Sequence, residues 1–112
     1  MKETYEGKRG HKLLTQEIRK RLPALYTTEE IPLEEKVAQV KFFSPYNGWR
    51  WYAVEFDGED IFWGYVEGWE KEWGTFSLSE LASATIAGGL VPAIERDCSF
   101  TPKKVGEILT VA

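Results

Sequence analysis

Two seven-residue segments, Arg50–Phe56 and Ile61–Glu67, flank the tetrapeptide Asp57-Gly58-Glu59-Asp60. Both are rich in aromatic and β-branched residues, and an Asp-Gly pair between such runs is a strong short-range signal for a β-hairpin. Pairing Phe56 with Ile61 sets position 54 opposite 63 and position 52 opposite 65. This register predicts one face built from Tyr52, Val54, Phe56, Ile61, Trp63 and Tyr65. The opposite face receives Trp51, Ala53, Glu55, Phe62, Gly64 and Val66. Because a one-residue slip sends every side chain to the other face, burial favours this register, and the six-residue apolar face is the predicted core.

The rest of the chain supplies elements to pack on that hairpin. Thr15 reads as an N-cap, with Ile18 and Leu22 on one helical face and Pro23 ending the helix. Residues 37–43 read as a strand closed by the turn Ser44-Pro45-Tyr46-Asn47-Gly48. Gly68–Gly74 reads as a second turn before a short strand at 75–77. Ser77-Leu78-Ser79-Glu80 has capping-box spacing for a helix over about 78–85. A strand over 94–100 and a C-terminal helix from Pro102, carrying Val105, Ile108 and Leu109, complete the order. The expected fold is α+β: a single domain over residues 13–112, an antiparallel sheet of about four to five strands around the hairpin 50–56/61–67, and about two to three short helices on one face. Residues 1–12 are polar and Gly-punctuated and read as a flexible leader.

At 112 residues the chain has room for one such core. Its 14% aromatic content argues against intrinsic disorder. The net charge of -4 is unevenly spread. Residues 1–21 hold seven Lys/Arg against three Glu, whereas residues 49–80 hold two cations against eight acids. An acidic, aromatic middle therefore follows a basic start. Cys98 is the one cysteine, which excludes an internal disulfide and suits a reducing cytoplasm. No apolar run reaches the length of a membrane span, so no membrane partner is expected.

Several chemistries lack their residues. One Cys and one His cannot form a structural zinc site. His11 is the one imidazole and lies in the leader, so Ser-His and Cys-His catalysis have no positioned base. Gly88-Gly89 lacks phosphate-loop spacing. No metal, cofactor or catalytic residue is therefore assigned. Two constellations remain. Glu55 sits among apolar neighbours and needs a cationic partner if buried, for which Arg96 is the candidate; Glu55, Glu95, Arg96 and Asp97 form a candidate polar site. All five Trp fall between residues 49 and 73. With Trp63 assigned to the core, Trp49, Trp51, Trp69 and Trp73 form a candidate protein interface.

A run of motifs in fixed order carries a family resemblance: Leu13-Leu14-Thr15 with Glu17-Ile18, Leu22-Pro23-Ala24-Leu25-Tyr26, Val40-Lys41-Phe42-Phe43, Trp51-Tyr52, Glu55 with Asp57-Gly58, Phe62-Trp63-Gly64, Phe76 to Leu81, and Pro92 to Asp97. Over roughly residues 13–104 the chain resembles the small bacterial family known as domain of unknown function 2958. It departs from that pattern around Gly68–Trp73 and at Ala93. The resemblance implies a stand-alone cytoplasmic domain carried on plasmids, phages and other mobile elements. It implies no activity, substrate or catalytic residue. The leading expectation is a binding module of a mobile element that acts through protein contacts, in one version as an inhibitor of host defence whose acidic 49–80 segment covers a basic surface. Two alternatives stay open: a small carboxylate-dependent enzyme using Glu55, Arg96 and Asp97, and nucleic-acid binding through the basic segment Lys8–Arg21. Oligomeric state is not legible.

Overall fold

A computed structural model describes residues 3–109. The first two residues of the expected leader and the last three of the expected domain lie outside the described residues. The fold is α+β, built on a five-stranded antiparallel sheet. Chain order begins with helix α1 (Glu6–Arg9) and helix α2 (Gln16–Arg21), followed by strands β1 (Val37–Ala38), β2 (Val40–Phe43), β3 (Arg50–Phe56), β4 (Ile61–Glu67) and β5 (Lys71–Ser77). Helix α3 (Leu78–Ser83), strands β6 (Thr85–Ile86), β7 (Val91–Pro92), β8 (Glu95–Arg96) and β9 (Lys103–Lys104), and helix α4 (Val105–Leu109) follow. The main sheet runs β5-β4-β3-β2-β8, while β1 pairs with β9 and β6 with β7.

Local signals are realised where they are self-contained. Thr15 caps α2, its hydroxyl accepting the Ile18 N–H at 3.2 Å, and Ser77 caps α3 by accepting from Glu80 N at 3.2 Å. Elsewhere the boundaries move. The turn after β4 is only Gly68–Glu70, so β5 already starts at Lys71 and Trp73-Gly74 belongs to a strand. The strand expected over 94–100 shrinks to Glu95–Arg96, and the last helix begins at Val105 rather than at Pro102.

The central hairpin keeps the expected register at its open end, where Tyr52 faces Tyr65, and breaks it near the turn. Ala53 faces Gly64 and Glu55 faces Trp63, which leaves Val54 as the extra residue of a β-bulge. Beyond the bulge the faces exchange: Phe56 lies opposite Phe62, not Ile61, and stacks on it with ring centroids 4.5 Å apart.

This corrects the expectation of one apolar face, because the sheet is covered on both sides. The larger core holds Val40, Phe42, Ala53, Phe56 and Phe62 beneath Leu13, Leu14, Ile18, Leu22, Leu78, Leu81 and Ile94. The smaller core holds Ala38, Tyr52, Val54, Tyr65 and Val105, with Trp63, Trp73, Phe100 and Ile108 packed against it. Helices α2 and α3 thus cover one face and α4 the other.

The segment expected to be a flexible leader is docked. The Arg9 side chain is fully buried, donating from Nε to Ile94 O at 2.9 Å and from Nη2 to Ala82 O at 2.8 Å. Glu3 accepts the Leu13 and Leu14 N–H groups, and His11 Nε2 accepts the Arg96 N–H at 3.0 Å. No helix of the described residues is long and apolar enough to cross a membrane.

Two outcomes follow from these contacts. A Cβ on Gly64 would lie 1.9 Å from Tyr52 O, whereas one on its strand neighbour Gly74 meets nothing within 4 Å. Gly64→Ala should therefore cost about 3 kcal/mol in urea unfolding, and Gly74→Ala should be neutral or stabilising. Burial and the nearby Arg96 charge hold the His11 pKa below its ordinary 6.5. The unfolded chain then takes up a proton before the native state does, so stability falls as pH drops below 6.5 and levels off once native His11 protonates. Urea midpoints at about pH 7.5 and 5.5 should differ more for the wild type than for His11→Gln.

Candidate functional site

The bulge at Val54 decides where Glu55 points. In a regular ladder it would share the side of Trp51 and Ala53, beside Phe42 and Phe62. The extra residue instead sets it opposite Trp63, on the side of the smaller core. There the carboxylate is buried at 3% exposure and held by dipoles from the loop before β1. Oε1 accepts the Tyr26 N–H at 2.8 Å, and Oε2 accepts both the Thr28 N–H at 3.0 Å and the Thr28 hydroxyl. Tyr26 meets this carboxylate from the left-handed region, at φ 69°, which is uncommon for a non-glycine residue.

The buried cation beside it is Lys36. Its Nζ donates to Thr28 O and, at 3.3 Å, to Thr28 Oγ1, and lies 5.4 Å above the Trp63 ring. The expected partner Arg96 is two strands away, opposite Phe42 on β8, so the Glu55–Arg96 pair is not formed. Burial pushes the Glu55 pKa up. The Thr28 hydroxyl, the Tyr26 and Thr28 N–H groups and the Lys36 charge outweigh it and hold the carboxyl below its ordinary value. Glu55 is a fixed anion, poorly suited to proton transfer near neutrality. It lines a pocket of about 180 Å³ with Leu25, Tyr26, Glu29, Trp63 and Thr75.

The other members of the polar set are dispersed. Asp97 bonds to Lys41 at 3.5 Å and accepts the Ser99 N–H, whereas Glu95 lies opposite Phe43. Asp97 lines a cleft of about 630 Å³ over the Tyr52 side of the sheet, together with Lys41, Arg50, Tyr52, Glu67 and Trp69. Four of its charges pair with one another, Lys41 with Asp97 and Arg50 with Glu67 at 3.4 Å. Burial, with Glu67 alongside, pushes the Tyr52 pKa up to about 12, so its hydroxyl keeps its proton. The grouping Glu55/Arg96/Asp97 is therefore not assembled.

The four candidate interface indoles separate as well. Trp73 stacks on Trp63 at 4.9 Å against the smaller core, and Trp51 packs on the larger one. Trp49 lies 5.9 Å from Trp51, its ring pressed on Gly68, where a Cβ would sit 2.4 Å from it. Trp69 alone of the set stands in solvent, at 92% exposure, its ring edge-to-face with Trp49 at 6.1 Å.

The charge runs are partly spent. Asp57 Oδ1 accepts the N–H groups of Glu59, Asp60 and Ile61, and Asp60 caps α3 through Ser77 and Ser79. In the basic segment, Arg9 is buried, Arg19 donates to Gly58 O at 2.7 Å, and Arg21 donates to Gln39 O at 3.2 Å. Three of the cations on which nucleic-acid binding through Lys8–Arg21 depends are thus engaged in the fold. Sequence reasoning missed Thr28 and Lys36; the signal present was a lysine just ahead of an apolar strand.

Replacing Glu55 tests its role as a held anion. A carboxylate whose native pKa is depressed stabilises the fold above the unfolded pKa, near 4.5, and that contribution fades as pH falls through the lower native value. Asp57 and Asp60 shift in the same direction, so the comparison must be with Glu55→Gln. That variant should lose ~2–4 kcal/mol at neutral pH and show a shallower loss of stability below pH 4.5 than the wild type, read by urea unfolding across pH.

No curated protein and no solved structure matches the chain significantly. One family model does match, over residues 13–109, and by that match the chain belongs to the family described as protein of unknown function (DUF2958).

Proposed function

We propose that the protein is a non-catalytic binding module that engages a protein partner with a basic surface through the Trp69 end of its hairpin. The observation that carries this reading is an indole at 92% exposure that is nonetheless braced against a second indole seated on Gly68. A rigid, exposed Trp contributes little to folding and is the residue type that anchors protein interfaces. In the turn and the start of β5, exposed Glu70 and Glu72 outnumber exposed Lys71, while Arg50 is paired with Glu67. The excess of acid favours a basic partner surface and opposes a phosphate backbone.

We place this module in the cytoplasm of a bacterial host, carried there by a plasmid or phage, the setting that the family resemblance implies. Covering a basic, nucleic-acid-binding surface of a host defence protein would inhibit that protein. The test is affinity capture from host lysate with the wild type, Trp69→Ala, and Tyr46→Ala as an exposed-aromatic control. Trp69→Ala should change stability by less than about 0.5 kcal/mol, so its effect reports binding. A protein retained by the wild type and Tyr46→Ala, released by salt and lost with Trp69→Ala is the expected result. An unchanged capture profile for Trp69→Ala would refute the reading.

A further inference from the structure

The pocket beside Glu55 lies at the opposite end of the hairpin from Trp69 and is independent of the reading above. Its floor is one row of cross-strand neighbours, Glu55, Trp63 and Thr75, and its wall is the 25–29 loop through Leu25, Tyr26 and Glu29. We propose that this pocket binds an alkylammonium group, the head of a lysine side chain or of a small free amine.

Size, charge and hydrogen-bond capacity converge on that ligand. At about 180 Å³ the pocket is below the ~300–1,000 Å³ of sites for drug-sized molecules and suits one side-chain head. Its lining is mainly apolar, and with Trp63 already engaged by Lys36 and Trp73 the aromatic ring left for a cation is that of Tyr26. Glu55 is buried yet makes no ion pair within 4 Å among the described residues, because Lys36 reaches Thr28 instead. Glu29 joins Glu55 in the lining, so the pocket carries two carboxylates and no cation of its own.

The carboxylate is also asymmetrically satisfied. Oε2 accepts two hydrogen bonds and Oε1 only one, so the open lone pair is on Oε1. One open lone pair suits a single-point ammonium rather than the two-pronged guanidinium. Two costly backbone features meet at this carboxylate: the Val54 bulge that aims it and the positive φ of Tyr26. Strain and bulges of this kind are maintained at ligand sites.

The experiment is an NMR titration of the Trp63 indole N–H in the full chain, with Nα-acetyl-lysine methylamide, n-butylammonium chloride and, as neutral control, 1-butanol. Both amines should shift the signal saturably while 1-butanol does not. The amine that saturates at lower concentration identifies a peptide-borne lysine or a free amine as the source. Glu29→Gln should weaken binding about two- to fivefold, and Glu55→Gln by at least about tenfold. Should Glu55→Gln fail to fold, Thr75→Phe fills the pocket from an exposed strand position without touching the Thr28 network and should abolish the shift. A linear, non-saturating response to both amines, an equal response to 1-butanol, or retained binding in Thr75→Phe would overturn the assignment.

Discussion

A carboxylate near the end of a strand that is buried on both sides is the constraint around which this fold is arranged. Positions 52–56 are all buried, so β3 is packed on both faces around Glu55. Regular alternation would send it into the apolar layer of Phe42 and Phe62, where an unpaired charge costs several kcal/mol. The extra residue at Val54 turns it to the other side, where the 26–28 loop presents two N–H groups and a hydroxyl. The same step brings Phe56 into the larger core to stack on Phe62. One bulge thus exchanges a charge for a ring in the apolar layer. It also ties the loop ahead of β1 to the centre of the sheet, since Lys36 completes the network and its carbonyl accepts from Val105 at the start of α4.

The features legible in the chain are those encoded within a few residues. The Asp-Gly turn, the caps at Thr15 and Ser77, and the pairing of Tyr52 with Tyr65 each need only local chemistry. The bulge has a local signal that regular alternation does not use. A lone glycine in a strand marks a bulge or a close backbone approach, and Gly64 is both, standing beside the bulge and against the Tyr52 carbonyl. Gly74 carries the same symbol with no such role, which is why Trp73-Gly74 read as a turn. Docking of the N-terminal segment was illegible for a different reason. Arg9 finds acceptors 73 and 85 positions away, and no periodicity encodes a contact of that span.

The uneven charge along the sequence survives only in part in space, and this decides which end of the hairpin faces outward. At the 57–60 turn, Asp57 closes its own loop and Asp60 caps α3, so these carboxylates are bound to backbone and hydroxyl donors. Arg19 covers the same turn, donating to Gly58 O while its guanidinium lies over Phe56 at 5.2 Å. The carboxylates of Asp57 and Asp60 are thus spent inside the turn. At the 68–70 turn the order is reversed: Glu67 is taken by Arg50, Glu70 and Glu72 are exposed, and the Trp69 ring stands in solvent. The sheet therefore has one end whose polar groups complete the fold and one whose apolar surface the fold leaves uncovered. An exposed indole is costly to hydrate, and because this one is braced by Trp49, added contact there gains free energy for little loss of conformational entropy.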